Sequence, residues 1–362
     1  MGPPPVYDLL TSPLRVAGLT LPNRIVMPPM VTFLAENDGL VTRAHVDHYG
    51  ESAGPGLITV EGTAVLPEGR IDKRQLGLWS DRHIKGLSEI ASTIHSAGAV
   101  AGIQIHHAGA TAFAEARGDS AYRRIPPILA RLVRQQFGTS GLVTIRSAFR
   151  DAARRAAAAG FDIIEIHAAH GYLFTQLLSP AKNWRIDRYG GGIENRSRFL
   201  LEVFGAVRDE VAGRALVSAR LGVVDGHRRG LALSDGLWVA RQLEDEGAPL
   251  LSISSGSGIP GSLRPEGSPY SARMHLASET KSVLRIPVIG GGGVRRPEMA
   301  EQALGDGMAD LVFVGHALLA DPAWARKAIE GREETVVACR GCRRCFWFDD
   351  WRKCPSRRGA SA

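Results

Sequence analysis

The sequence predicts an α/β fold, a (β/α)8 TIM barrel, from three observations. Eight short runs are apolar throughout, segments with helical spacing lie between them, and no dinucleotide-binding turn interrupts the series. Strands without polar alternation are buried on both faces, as in a parallel sheet wrapped by helices. Eight strand–helix units over roughly 300 residues is the count of a closed barrel. A doubly wound sheet is the alternative. It would need G-x-G-x-x-G after a strand with an acidic residue about 20 positions on, and no run offers that.

In chain order the runs are 24–28 (RIVMP), 56–61 (GLITVE), 100–106 (VAGIQIH), 162–167 (DIIEIH), 215–221 (ALVSARL), 250–253 (LLSI), 287–289 (PVI) and 310–314 (DLVFV). Segments 147–159, 196–211, 234–246, 297–304 and 322–330 repeat small and apolar residues at three- and four-residue steps, the period of a helix lying on a core. With 44% hydrophobic and 22% charged residues in 362, the composition is that of a globular protein and excludes disordered and fibrous classes. No uncharged apolar stretch of about 18 residues is present, so no transmembrane helix is expected. The N-terminus, MGPPPVYDLL, lacks the basic and apolar regions of a signal peptide, which makes the cytoplasm the expected compartment.

Net charge is +7, and Arg340, Arg343, Arg344, Arg352, Lys353, Arg357 and Arg358 crowd the C-terminus. Such a tail suits nucleic acid, a membrane surface or an acidic protein, or is simply solvated. All four cysteines, Cys339, Cys342, Cys345 and Cys354, fall in the same segment. Clustered thiols in a cytosolic protein hold metal more often than they form disulfides. The chain therefore divides into a barrel, 1–335, and a cysteine-rich basic tail, 336–362.

Barrel enzymes carry their chemistry where the strands end. The third run ends in Gln104, His106, His107 and Gly109, and the fourth in His167, His170, Gly171 and Tyr172. The fifth carries Arg220, the seventh opens into 290–293, and the eighth ends at Gly315 and His316. Glycines after the last two strands expose backbone N–H groups suited to a phosphate. His167 and His170 would face opposite ways in an extended segment, so the chain must turn between them, and Gly171 permits the turn. Two imidazoles can hold a carbonyl or phenolate oxygen and a tyrosine hydroxyl can give a proton. An inward Arg220 demands an anionic partner. These residues define a ligand-polarising site without naming its reaction.

Longer motifs add a family resemblance. LTLPNRIVMPPM (19–30), GLITVEGTAV (56–65), QIHHAG (104–109), the run from Glu165 to Val203 beginning EIHAAHGYLF, PVIGGGGV (287–294) and DLVFVGHALLADP (310–322) resemble the old yellow enzyme family of FMN-dependent oxidoreductases. The resemblance implies FMN, with Pro29, Met30 and Gly62 along the flavin ring, Gln104 at its pyrimidine edge and Arg220 near N1 and O2. Gly292, Gly293 and Gly315, with His316 beside them, would meet the phosphate. His167 and His170 would grip the oxygen of an unsaturated carbonyl substrate. Tyr172 would protonate the α carbon after hydride reaches the β carbon.

Three positions depart from the family pattern. Val31 stands where Thr or Cys usually tunes the flavin, and it excludes a cysteinyl link. Ala110 replaces an arginine. His316 replaces the arginine that usually grips the phosphate, leaving Arg295 or Arg296 to compensate.

The spacing Cys339-x2-Cys342-x2-Cys345-x8-Cys354 resembles the iron–sulfur segment of the 2,4-dienoyl-CoA reductase and trimethylamine dehydrogenase subgroup, implying a [4Fe–4S] cluster with zinc as the alternative. Those relatives continue into further cofactor domains, whereas this sequence ends at Ala362. Electrons are accordingly expected from NAD(P)H or from an acidic carrier such as ferredoxin or flavodoxin. The alternatives are a dehydrogenase oxidising C–N or C–C bonds and, from another class, a zinc-tailed barrel that binds nucleic acid. Amine-oxidising relatives carry Tyr where this chain has His167, which favours the carbonyl-binding reading. Substrate identity and a homo-oligomeric state stay open, and loops 111–127 and 255–271 carry no readable chemistry.

Overall fold

In a computed structural model, residues 7–112, 139–343 and 345–358 are described. Loop 111–127, from 113 onward, and Arg344 lie outside them. A hairpin of β1 (Leu14–Val16) and β2 (Leu19–Leu21) leads into eight barrel strands. These are β3 (Ile25–Met27), β4 (Leu57–Ala64), β5 (Val100–His106), β6 (Ile163–Ala168), β7 (Leu216–Gly222), β8 (Leu251–Ser254), β9 (Val288–Gly291) and β10 (Leu311–Phe313). They close as a parallel barrel in sequence order, with β10 hydrogen-bonded to β3. Every one coincides with a run read from the sequence. Uniform burial explains why: β4, β5 and β6 are buried at every residue, so their sequences are apolar with little alternation.

Helices Arg43–Glu51, Ile84–Ser96, Thr139–Ala158, Ile193–Val211, Leu233–Asp245, Ala272–Lys281 and Pro297–Gly305 follow successive strands. The third is described from Thr139 rather than 147, because Leu142 and Ile145 continue the buried stripe of Phe149, Ala152, Ala153 and Ala156 one turn earlier. The β1–β2 hairpin was not expected. Its strands have three residues each, and its turn at Ala17 (φ 45°) and Gly18 (φ 91°) lacks the usual Asn-Gly signal.

The hairpin decides which end of the barrel works. Val16 and Leu21 pack on an inner layer of Val26, Leu57, Val100, Ile163, Ile289 and Leu311, sealing the end where the strands begin. Phe313 tops that layer and lies under the Arg220 guanidinium at 5.1 Å. Chemistry is confined to the other end. There the β4–β5 register slips between Val60 and Thr63, a bulge that takes Glu61 and Gly62 out of the regular ladder. No helix among the described residues is long and apolar enough to cross a membrane.

Candidate active site

A cavity of about 470 Å³ opens where the strands end. Its wall contains Pro29, Met30, Gly62, Gln104, His167, His170, Tyr172, Arg220, Gly292, Gly293, Gly315 and His316, so one cavity brings together the barrel residues to which the family resemblance gives a catalytic or cofactor role. Val31, Arg273 and Arg295 line it too, whereas Arg296 and Ala110 do not. Of the two arginines expected to replace the missing phosphate cation, only Arg295 therefore reaches the cavity. Arg273, in the first turn of helix Ala272–Lys281, is the cation that sequence reading missed. It follows a loop with no recognisable motif, which hid it.

Gln104 and Glu165 sit side by side on β5 and β6, and the Gln104 amide N–H donates to Glu165 Oε1 at 2.8 Å. That bond fixes the carboxamide with its oxygen towards Gly62, where a side-chain Cβ would come within 3.3 Å of it. Burial raises the Glu165 pKa and the charge of Arg220 opposes it. Arg220 is fully buried, and its Nε has no hydrogen-bond partner. A buried donor left open in a cavity wall calls for an acceptor from a ligand. Val31 offers the cavity no side-chain donor. The hydroxyl next to it, Thr32, turns away to donate to Glu61 Oε1 at 2.6 Å, and so does not take over that role.

The turn between the two histidines is present. His170 (φ 60°) and Gly171 (φ 81°) are both left-handed, which swings the His170 ring back over His167. Ala169 N–H donates to His167 Nδ1 at 3.2 Å, so the His167 proton sits on Nε2, which faces His170 Nδ1 at 3.2 Å. His170 Nε2 in turn reaches Ser254 Oγ at 2.8 Å. Burial holds both imidazoles far below the usual histidine pKa, aided by the positive charge of Arg220, so both are neutral. A serine hydroxyl donates as readily as it accepts. Ser254 can therefore follow a tautomer change in His170 that aims two N–H donors at one ligand oxygen. Ser254, an ordinary residue within a strand, carried no signal in the sequence. Tyr172 stands edge-on to His167 at 5.2 Å, and burial raises its pKa, which keeps its proton in place at neutral pH.

Burial of histidines also sets an acid limit. His45 and His107 are lowered to about 4 and His48 to about 3, mainly by desolvation, while the unfolded chain protonates near 6.5. Below pH 6.5 the unfolded state binds more protons, so stability falls with pH until the folded pKa is reached. Each such group contributes a slope of about 1.4 kcal/mol per pH unit. The urea midpoint is expected to drop steeply between pH 6.5 and 4.5, and His48→Gln to flatten that slope.

The C-terminal segment docks on the cavity. Trp347 Nε1–H donates to the Val31 carbonyl at 2.6 Å, and Trp351 is buried against the His48 ring at 4.5 Å. Cys339, Cys342 and Cys345 line the main cavity. With Cys354 they also surround a hollow of about 20 Å³ beside it. Among the described residues no group of three or more His, Cys, Asp or Glu is arranged to hold a metal ion, so the metal site expected there is not shown. Part of the basic charge is already paired, Arg352 with Asp350 and Arg357 with Glu51, leaving Arg340 and Arg343 without a carboxylate among the described residues.

The sequence profile of the NADH:flavin oxidoreductase / NADH oxidase family matches residues 9–335. The chain belongs to this family. It is 39% identical to an NADH oxidase of Thermoanaerobacter brockii over 91% of its own length and 52% of that protein, so it spans about half of that relative. It is also 39% identical to an NADPH dehydrogenase of Geobacillus sp. (strain WCH70), over 91% of this chain and 96% of that one. Among solved structures, a 2-naphthoyl-CoA reductase complexed with 2-naphthoyl-CoA superposes with a TM-score of 0.85 at 26% identity, covering 95% of this chain and 56% of that one. As a member of the family the protein is a flavin-dependent oxidoreductase whose cofactor is FMN. The cavity fits FMN: Gln104 and the open Arg220 donor suit the pyrimidine edge, and Gly62 leaves room for the ring. Consecutive left-handed glycines Gly292 (φ 106°) and Gly293 (φ 78°) turn backbone towards the wall shared with Arg273 and Arg295, a setting for a phosphate.

Proposed function

We propose that the protein reduces the activated C=C bond of an unsaturated carbonyl compound, with NAD(P)H as one source of electrons and a [4Fe–4S] cluster on Cys339, Cys342, Cys345 and Cys354 as another. The observation that carries the reading is the neutral His167–His170 pair beside Tyr172, in one cavity with Gln104 and Arg220. FMN, when bound, supplies the hydride. His167 and His170 hold the carbonyl oxygen and draw electron density from the alkene. Tyr172, kept protonated by burial, delivers a proton to the α carbon. Arg220 balances negative charge at the pyrimidine edge, and Glu165 keeps Gln104 in register with it.

The four thiols around one hollow that abuts the flavin cavity, in C-x2-C-x2-C spacing with one further Cys, support the cluster. The 95% of the chain taken in by the naphthoyl-CoA reductase superposition also exceeds the barrel matched by the family profile. The exposed Arg343 and its neighbour Arg340 make an acidic carrier such as ferredoxin or flavodoxin the natural partner for that end.

Anaerobic purification tests both halves. The expected product shows flavin bands, a broad shoulder near about 400 nm, about four irons per chain, and enone-dependent NAD(P)H oxidation. Cys345→Ser should lose iron and keep flavin. Zinc in place of iron would remove the relay, and a flavoprotein that reduces no enone would overturn the reaction.

A further inference from the structure

Both nitrogens of His167 and of His170 have partners, whereas His106 beside them has none. His106 ends β5 two residues after Gln104, so the two side chains share the inward face. Its ring is 1% exposed and lines the cavity, and neither Nδ1 nor Nε2 has a hydrogen-bond partner. It meets the Tyr172 ring edge-on at 4.6 Å and the His167 ring at 5.2 Å. Burial, with His167 and His107 nearby, keeps it neutral, so it offers one donor and one acceptor. Native interiors rarely leave both ends of such a group unmatched.

We propose that His106 is a specificity-determining residue that binds a second polar group of the substrate, beyond the oxygen held by His167 and His170. The preferred substrate class is then an activated alkene with two oxygen functions, its second carbonyl, hydroxyl or carboxylate lying on the Tyr172 side. This rests on reading the histidine pair as the oxygen site.

The test uses FMN-loaded protein and the change in flavin absorbance on binding phenols, which needs no turnover. Probes are 3- and 4-hydroxybenzaldehyde, with a second oxygen, and 3- and 4-methylphenol, without one. The wild type should favour the aldehydes. In His106→Leu that preference should shrink about tenfold, the worth of one hydrogen bond, with methylphenol affinity nearly unchanged. His106→Gln, which keeps a donor and an acceptor, should recover part of it, and should serve alone if the Leu variant does not retain FMN. An undiminished preference in both variants would overturn the proposal and leave the histidine pair standing. A wild type whose flavin spectrum responds to none of the phenols would overturn both.

Discussion

Replacing Tyr172 with Phe is expected to slow enone reduction by about 10²–10⁴-fold, the usual span for loss of a positioned general acid. The ring packs edge-on against His106 and His167, and Phe retains those contacts, so the cavity and its flavin should persist. Only the proton is lost. Two readouts separate this from damage to the site. FMN affinity should match the wild type, and NAD(P)H oxidation with a one-electron acceptor such as ferricyanide, which requires no carbon protonation, should proceed at its normal rate. Enone turnover at the wild-type rate would remove Tyr172 from its role. A parallel fall with ferricyanide would show that the phenol shapes the cavity rather than supplying a proton.

Arg273→Ala should weaken FMN binding by roughly 10–100-fold, the range of a lost charge-assisted hydrogen bond, and leave riboflavin binding unchanged. His316 cannot act as the cation, because burial and the charge of Arg273 both lower its pKa. Arg273 has no carboxylate partner among the described residues, and its charge is felt by His170, Arg220 and His316, which places it over the cavity. Arg295 shares the wall but lies against the tail, where a Cβ at Gly341 would stand 2.7 Å from its Nη2. Fluorescence titration of both flavins distinguishes the two. If Arg273→Ala keeps the wild-type preference for FMN over riboflavin while Arg295→Ala loses it, the phosphate belongs to Arg295.

Much of the fold was legible because its information is local. A strand buried on both faces is rich in apolar residues, and each of the eight carried a short apolar run, so element type and order could be read directly. The hairpin from Leu14 to Leu21 escaped because three-residue strands leave no pattern, although it is the feature that seals one end of the barrel. In the site, Gln104, His167, Tyr172 and Arg220 announced themselves as costly polar residues at strand ends. Arg273, an ordinary arginine on an amphipathic helix, did not, nor did Ser254. His106 was visible, but nothing in a sequence tells a satisfied imidazole from an unsatisfied one. The cysteine spacing was equally visible, while the arrangement of the thiols is a matter of tertiary docking.

The sequence by itself determined the barrel, the family and the chemical types available at the strand ends, because side-chain alternation and helical period are properties of neighbouring residues. Only the tertiary structure decided which of those groups meet. Barrel closure sets β10 against β3 and so brings Met30 beside Gly315, where a Cβ on the glycine would stand 3.3 Å from the methionine sulfur. Two left-handed residues turn His170 onto His167 and fix the direction of their hydrogen bond. The hydrogen bond from Trp347 to Val31 lays the cysteine segment against the flavin cavity. These distances arise from strand stagger and from contacts between residues hundreds of positions apart, which no local pattern encodes.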